Sequence, residues 1–305
     1  LKSINLSRNN LGANKLRAKK NKTVDLLYLH ENELDKLPRV IRKFKNLKEI
    51  NLSKNNFVEL PKRLKKNSQL TILKINENCL VINEQNFKSF RRLEKLRLNK
   101  CGLDYISNNF WTLTNLKELQ LSCNSIEHIP PDINRQSKLE SLSLYNNDLK
   151  GLPEELFDLT RLRQIDLYHN ELERISPSIG NFKNLEILYL SNNKLYDLPD
   201  EIGNLTKLKE LYLHHNRLSY LPTSIKKLEQ MRVFRVNDNY LSEFPSQILT
   251  LGQLKNLDVS SNQITVIPKG LSQLTELDIF QFQSNPTDFN TAVNHLIVET
   301  VITMI

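Results

Sequence analysis

An apolar residue returns every 23 residues along this chain, without a single insertion or deletion. The positions are Leu1, Val24, Leu47, Leu70, Leu93, Leu116, Leu139, Leu162, Leu185, Leu208, Met231, Leu254 and Leu277. A fixed period of this length is typical of a chain in which each unit covers its apolar face with the next. The sequence therefore predicts thirteen stacked turns.

Each turn has the same internal pattern, numbered here from its first apolar residue. Apolar residues stand at positions 1, 4, 6 and 11 and a polar residue at position 9, as in Leu185, Leu188, Leu190, Leu195 and Asn193. Alternation at positions 4 and 6 indicates a short strand with one buried face. Equivalent strands of stacked turns run parallel at a spacing of roughly 4.8 Å, so we expect one long parallel sheet.

Position 9 is asparagine in twelve of the thirteen turns. The column reads Asn9, Asn32, Asn55, Asn78, Asn124, Asn147, Asn170, Asn193, Asn216, Asn239, Asn262 and Asn285, with Cys101 in the fifth turn. Where the chain leaves the strand, buried amides and carbonyls lose their sheet partners, at a cost of about 1–3 kcal/mol each. A side-chain amide satisfies both kinds of group, so we predict a structural ladder in which the thiol of Cys101 is a weak substitute.

The second half of each turn reads Leu-Pro-x-x-Ile-x-x-Leu. Proline at position 15 suits the start of a short helical segment, with apolar residues at positions 18 and 21 facing inward. It is present as Pro38, Pro61, Pro130, Pro153, Pro199, Pro222, Pro245 and Pro268. Turns four, five and eight have Glu84, Ser107 and Ser176 instead, and we expect their backs to be more helical or bent differently.

The full pattern, LxxLxLxxNxLxxLPxxIxxLxxL, resembles the 23-residue, intracellular type of leucine-rich repeat. Similar repeats occur in Scribble-like and Erbin-like scaffolds, plant intracellular Ras-group repeat proteins, Roco proteins and many bacterial repeat proteins. The resemblance implies an α/β solenoid of about thirteen repeats, a horseshoe with a concave parallel sheet and convex short helices or 3-10 turns. It also implies recognition of a protein partner, usually through the concave face.

The pattern extends over residues 1–289, which we expect to form the solenoid. Residues 12–22 lack the second half of the motif, so the first repeat is degenerate. The chain starts with Leu1 inside a repeat, so we expect its N-terminus to have been trimmed. Residues 290–305 have apolar residues at helical spacing, which indicates a capping helix or the start of a truncated segment.

The charge is distributed unevenly. The 43 Lys and Arg exceed the 34 Asp and Glu overall, but residues 1–100 hold 25 of the basic residues and 9 of the acidic ones. Nine basic residues fall on the predicted back of repeats two to four: Arg39, Arg42, Lys43, Lys62, Arg63, Lys65, Lys66, Arg91 and Arg92. This basic N-terminal end is a solvated face or a site for an acidic protein, with anionic membrane and nucleic acid as further alternatives. The scarcity of interleaved aromatic residues argues against nucleic acid.

No pattern of catalytic, cofactor-binding or metal-binding residues stands out. The chain has no phosphate-binding glycine motif and no Cys-x-x-Cys pair, and we predict no enzymatic activity, no cofactor and no metal. It also has no apolar run of about 18 residues that would span a membrane. The cysteines Cys79, Cys101 and Cys123 are odd in number and form no paired cluster at either end of the repeats. They indicate a reducing compartment, so we expect a cytoplasmic location.

Positions 2, 3, 5, 7 and 8 are expected to project from the concave face. On repeats seven to eleven they bring together Tyr145, Tyr168, His169, Tyr189, Tyr212, His214, His215 and Arg235. Tyrosine and arginine are enriched in binding hot spots, so this cluster is the candidate partner-binding site. The alternative is that tyrosines favour strands and stack on each other without a partner.

Three functions remain open at this point. The first is a non-catalytic protein-recognition module. The second is the targeting arm of a larger enzyme, such as a Roco GTPase, a kinase or a ubiquitin ligase. The third is charge-driven binding of nucleic acid or anionic membrane through the basic N-terminal end.

Overall fold

The computed structural model describes residues 1–11, 21–81, 87 and 90–286 of the chain. Within them, every repeat contributes one three-residue strand at positions 3 to 5. The strands are β1 Ser3–Asn5, β2 Leu26–Tyr28, β3 Glu49–Asn51, β4 Ile72–Lys74, β5 Lys95–Arg97, β6 Glu118–Gln120, β7 Ser141–Ser143, β8 Gln164–Asp166, β9 Ile187–Tyr189, β10 Glu210–Tyr212, β11 Val233–Arg235, β12 Asn256–Asp258 and β13 Ile279–Gln281.

The back of the described repeats consists of 3-10 helices of five residues each. They are η1 Arg39–Lys43, η2 Lys62–Lys66, η3 Asn108–Thr112, η4 Pro131–Arg135, η5 Glu154–Asp158, η6 Pro177–Asn181, η7 Asp200–Asn204, η8 Thr223–Lys227, η9 Ser246–Thr250 and η10 Lys269–Gln273. The pattern of one short strand and one 3-10 turn per 23 residues is that of a leucine-rich repeat solenoid. The fold class predicted from the sequence is therefore confirmed.

The chain divides into two compact units, Leu1–Asp148 and Leu149–Ile305. In the first unit, β1 to β7 form parallel pairs in chain order, for example with Leu27 opposite Ile50. In the second unit, β8 to β13 do the same, with Leu211 opposite Phe234. Partners are always 23 residues apart, so equivalent positions of successive repeats lie side by side in each unit.

The core of each unit is made by the predicted apolar columns. In the ninth repeat, Leu188 and Leu190 of the strand segment are fully buried, as are Ile202 and Leu205 at positions 18 and 21. Strand residues on either side of position 4 remain half-buried. Side chains at positions 3, 5, 7 and 8 form the surface on this side of the strands, which we call the strand face. Most of them are half-buried or exposed, although some, such as Ser191 and Asp258, are buried.

The asparagine ladder is confirmed by its hydrogen bonds. In the ninth repeat the Asn193 amide nitrogen donates to the carbonyls of Leu167, Leu190 and Ser191 at 3.0, 2.9 and 3.2 Å. Its Oδ1 accepts from the Leu172 amide at 3.0 Å. One side chain thus satisfies four backbone groups in two adjacent repeats, which is why the column is almost invariant within the chain.

Cys101 replaces only part of this arrangement. Its Sγ lies 3.4 Å from the carbonyl of Ile75 and 3.5 Å from that of Asn99, as a weak donor would. A thiol offers no strong acceptor, and the Leu80 amide donates instead to the backbone carbonyl of Cys101 at 3.0 Å. The next residue, Gly102, has a φ of +68°, a conformation that glycine adopts without steric cost.

The eight predicted prolines each occupy the N-cap of a 3-10 helix, as expected. The expectation of a different back in repeats five and eight was wrong, because η3 and η6 are 3-10 helices of the same length. Ser107 and Ser176 adopt the extended backbone that proline has elsewhere, with ψ of 150° and 144°. The Ser176 side chain also accepts from the Ser178 amide at 3.1 Å. Glu84 of repeat four lies outside the described residues.

Position 8 has a left-handed backbone in all thirteen repeats, with φ between 50° and 60°, and none of these residues is glycine. A non-glycine residue in this region costs roughly 1–2 kcal/mol. The chain adopts this left-handed conformation where it turns after the strand. The conformation sets the direction of side chains such as His169 and His215 on the strand face.

The predicted degenerate part of the first repeat and the predicted capping helix fall mainly on residues 12–20 and 287–305, outside the described residues. No helix in the described part of the chain combines the length and apolar character needed to cross a bilayer.

Candidate functional site

Seven of the eight predicted partner-binding residues lie on the strand face of the second unit. We call them the tyrosine–histidine patch: Tyr168, His169, Tyr189, Tyr212, His214, His215 and Arg235. They occupy three rows that cross the strands, at positions 5, 7 and 8. None of the seven is buried, and His169 and His215 are exposed.

The position 5 row is the centre of the patch. Register places Tyr189 of β9, Tyr212 of β10 and Arg235 of β11 side by side. The two tyrosine rings stack with centroids 4.8 Å apart and an angle of 14° between their planes. Partial burial raises the pKa of both hydroxyls, and the carboxylate of Glu210 raises them further, so both tyrosines stay neutral.

Arg235 continues this row beyond the tyrosine stack. Its guanidinium carbon lies 6.0 Å from the centre of the Tyr212 ring, within range of a cation–π interaction. Its Nε is buried and has no hydrogen-bond partner among the described residues. Asp258 of β12 stands next to Arg235 in the same row.

The position 7 row contributes Tyr168 and His214, two strands apart. Their rings are 6.0 Å apart, and His214 also meets the edge of Tyr212 at 6.5 Å. The Nδ1 of His214 is 2.8 Å from the hydroxyl of Ser191. Burial, and then the neighbouring charges of His215 and Arg235, lowers the pKa of His214, so this imidazole is neutral at pH 7.

The position 8 row contributes the exposed imidazoles. His169 lies 6.2 Å from Tyr168, and His215 lies 5.4 Å from His214 between ring centres. The Nδ1 of His215 is 3.6 Å from a carboxylate oxygen of Asp238. The patch is therefore a continuous aromatic surface with polar atoms at its margins.

Tyr145, the eighth predicted residue, belongs to the first unit, two residues beyond β7. It is half-buried, and its backbone carbonyl accepts from the Cys123 amide at 2.7 Å. We therefore assign the candidate site to the second unit without it.

Sequence reasoning missed two polar members of the site. The Tyr212 hydroxyl donates to Glu210 at 2.8 Å, and Ser191 contacts His214. Glu210 stands at position 3, on the same side of the strand as Tyr212. The period-2 alternation could therefore have predicted that Glu210 lies beside Tyr212.

The described residues contain no group of three or more His, Cys, Asp or Glu side chains arranged to hold a metal ion. All three cysteines are free. Cys101 is fully buried, and this burial raises the pKa of its thiol to about 12.

The basic surface predicted on the back lies in the first unit. Its members Arg39, Arg42, Lys43, Lys62, Arg63, Lys65, Lys66, Arg91 and Arg92 are exposed, except Arg63, which is half-buried. Lys62 lies 3.2 Å from Glu59, Arg63 donates to the carbonyl of Leu37, and Arg92 donates to the side-chain oxygen of Gln69 at 2.5 Å. Neither η1 nor η2 contains an acidic residue.

Comparison with known families matches the chain to two leucine-rich repeat profiles. The profile described as a leucine-rich repeat region covers residues 201–298. The profile described as leucine rich repeat covers residues 114–172, 137–195 and 169–218. A search of curated protein sequences gave no match.

Solved structures agree with this assignment. A leucine-rich repeat protein of Leptospira interrogans is 30% identical, with a TM-score of 0.77, over 88% of this chain and 75% of its own length. An internalin of Listeria monocytogenes has 21% identity and a TM-score of 0.81 over 93% and 81% of the two chains, which shows the fold alone. A plant peptide hormone receptor in complex with RGF2 has 25% identity and a TM-score of 0.64, over 86% of this chain and 52% of its own. The chain belongs to the leucine-rich repeat family.

Proposed function

We propose that this chain is a non-catalytic recognition module that binds a protein partner through the tyrosine–histidine patch. The observation that carries the proposal is the stacked pair Tyr189–Tyr212, which stays half-exposed on the strand face. Stacked tyrosines are rigid and combine apolar contact area with hydroxyl groups, the properties of binding hot spots. His214 and Arg235 extend the same surface, which spans the three strands β9, β10 and β11.

The comparisons support recognition as the general role. Leucine-rich repeat proteins are mostly protein-binding modules and receptor ectodomains, and the similar plant peptide hormone receptor was solved in complex with RGF2. Such domains are typically non-catalytic. We extend this role to the present chain, and propose that it is the 23-residue intracellular type acting in the cytoplasm. Three free cysteines and the strict repeat length support that assignment.

A second candidate function is binding of an acidic protein at the basic surface of the first unit. It is favoured by η1 and η2, whose only charged residues are basic. Such binding would depend steeply on salt concentration, because exposed charges are screened within a Debye length of about 8 Å at physiological ionic strength. Binding at the tyrosine–histidine patch would depend on salt much less.

The test compares two double variants in affinity capture of a partner followed by measurement of its Kd. We expect Tyr189→Ala with Tyr212→Ala to weaken binding by about tenfold or more, since truncation of hot-spot residues costs on the order of 1–2 kcal/mol each. Tyr220→Ala with Tyr240→Ala is the matched control, since these tyrosines are 57% and 51% exposed and lie outside the patch.

Circular dichroism verifies that both double variants remain folded. If the Tyr189→Ala/Tyr212→Ala variant binds the partner as tightly as the unmodified chain does, the patch is not the recognition site. If the control pair alone weakens binding, recognition takes place where Tyr220 or Tyr240 is exposed, outside the patch.

A further inference from the structure

The two units neutralise the carboxylates on their strand faces differently. In the first unit, Glu31, Glu49 and Glu118 each pair with a basic side chain of a neighbouring repeat. The distances are 3.0 Å from Arg8 to Glu31, 2.7 Å from Lys74 to Glu49 and 2.8 Å from Arg97 to Glu118. The strand face of the first unit thus provides its own counter-ions.

The strand face of the second unit has few cations at positions 3, 5, 7 and 8, although Arg163, Lys209, Arg232 and Lys255 stand at position 2 of the same repeats. Arg235 is the only Lys or Arg at positions 3, 5, 7 and 8 of repeats eight to thirteen, whereas the same positions hold Asp166, Glu210, Asp238 and Asp258. Glu210 accepts from the Tyr212 hydroxyl, and Asp258 accepts from Ser260. Asp238 pairs with His215, a neutral imidazole unless protonated. Among the described residues, no Lys or Arg forms an ion pair with Glu210, Asp238 or Asp258.

These carboxylates border the aromatic part of the patch. Glu210 is held at the Tyr212 hydroxyl, so its charge lies beside the Tyr189–Tyr212 stack. Asp238 lies one repeat further along, beside His215. Asp258 follows Arg235 in the position 5 row and is only 7% exposed. It therefore adds to the negative electrostatic potential of the patch but is not accessible for direct contact with a partner.

The second unit also shows how it accommodates a guanidinium group. The guanidinium carbon of Arg235 lies 6.0 Å from the Tyr212 ring, and that of Arg174 lies 4.7 Å from the Tyr196 ring. Arginine therefore packs on tyrosine twice within this unit. Planar guanidinium groups favour such stacking and at the same time donate hydrogen bonds to carboxylates.

We propose that the tyrosine–histidine patch recognises a basic polypeptide segment, in which an arginine or lysine packs beside the Tyr189–Tyr212 stack and pairs with Glu210 and Asp238. This inference rests on the proposed function, and it adds the chemistry of the partner. An acidic segment is disfavoured at the same place, since it would bring like charges against Glu210 and Asp238.

The test uses two labelled eight-residue peptides, one alternating arginine with serine and the other alternating glutamate with serine. Fluorescence anisotropy measures their binding to the whole chain. The chain has a net charge of +9, so unspecific attraction favours the glutamate peptide, and specific binding of the arginine peptide would oppose that trend.

The decisive variant is Glu210→Gln with Asp238→Asn. We expect it to weaken binding of the arginine peptide by about tenfold at low salt, the effect of losing two partly exposed ion pairs. Glu173→Gln with Glu229→Gln is the matched control, because it removes two exposed carboxylates from the same unit, away from the patch. We expect the control to change the Kd by less than about twofold.

Equal loss in both double variants would overturn the proposal, because the attraction would then follow total charge. Preference for the glutamate peptide would also overturn it. Measuring the Kd of the captured partner for the same variants distinguishes this inference from the proposed function. Loss of binding in the tyrosine double variant with no loss in Glu210→Gln/Asp238→Asn would refute the basic segment and keep the patch. No loss in either would refute both.

Discussion

Replacement of Asn193 by alanine tests the physical basis of the stacked repeats. The substitution removes four hydrogen bonds, from the Asn193 amide to the carbonyls of Leu167, Leu190 and Ser191, and from the Leu172 amide to Oδ1. Asn193 is 8% exposed, so water has little access to the groups left behind. An orphaned buried amide costs about 1–3 kcal/mol, and the carbonyls and the small cavity add to this. We expect a loss of about 3 kcal/mol in the free energy of unfolding.

Urea unfolding followed by far-ultraviolet circular dichroism measures this loss. Asn181→Ala is the matched control, because Asn181 is exposed at the end of η6 in the same unit, and we expect a change within about 0.5 kcal/mol. Asn193→Asp keeps the size of the side chain but replaces the amide donor with a carboxylate oxygen that faces three carbonyl oxygens, so at pH 7 it should cost at least as much as alanine. If Asn193→Ala and Asn181→Ala unfold at the same urea concentration, the ladder does not stabilise the fold as we argue.

Three further predictions concern close packing, thiol chemistry and pH. Gly203→Ala should destabilise the chain by about 1–3 kcal/mol, because the added Cβ would overlap the backbone of the next repeat, whereas Gly252→Ala has open space and serves as its control. In the native state at pH 8, Cys79 should react quickly with a thiol reagent, while Cys101, buried with a raised pKa, should react only after denaturant is added. His214→Gln should reduce the loss of stability between pH 7 and pH 5, measured by urea unfolding at both values. The folded-state pKa of His214 is lowered by burial, so the unfolded chain binds its proton more readily below about pH 6.5.

The 23-residue period was sufficient to predict most of the fold. It placed every strand, because positions 4 and 6 alternate with exposed residues, and it identified the asparagine column by its chemistry. The backs of repeats five and eight were predicted wrongly, because proline was treated as necessary. Ser107 and Ser176 show that serine with an extended backbone can also precede the 3-10 helix.

The candidate site was predicted less completely than the fold. Periodicity predicts which side chains share a row, so Tyr189, Tyr212 and Arg235 were expected together. It does not predict rotamers, and the hydrogen bond from Tyr212 to Glu210 depends on them. It also cannot indicate that the Leu80 amide donates to the backbone carbonyl of Cys101, because that hydrogen bond depends on the direction of one carbonyl group.

The central claim is that equivalent positions of stacked repeats form one recognition surface in the second unit. Hydrogen–deuterium exchange with and without the bound partner tests it most directly, since it reports protection of individual backbone segments. We predict protection on binding at residues 187–192, 210–215 and 233–238, with no change in η1 and η2. Protection confined to η1 and η2, or none on β9, β10 and β11, would contradict the account.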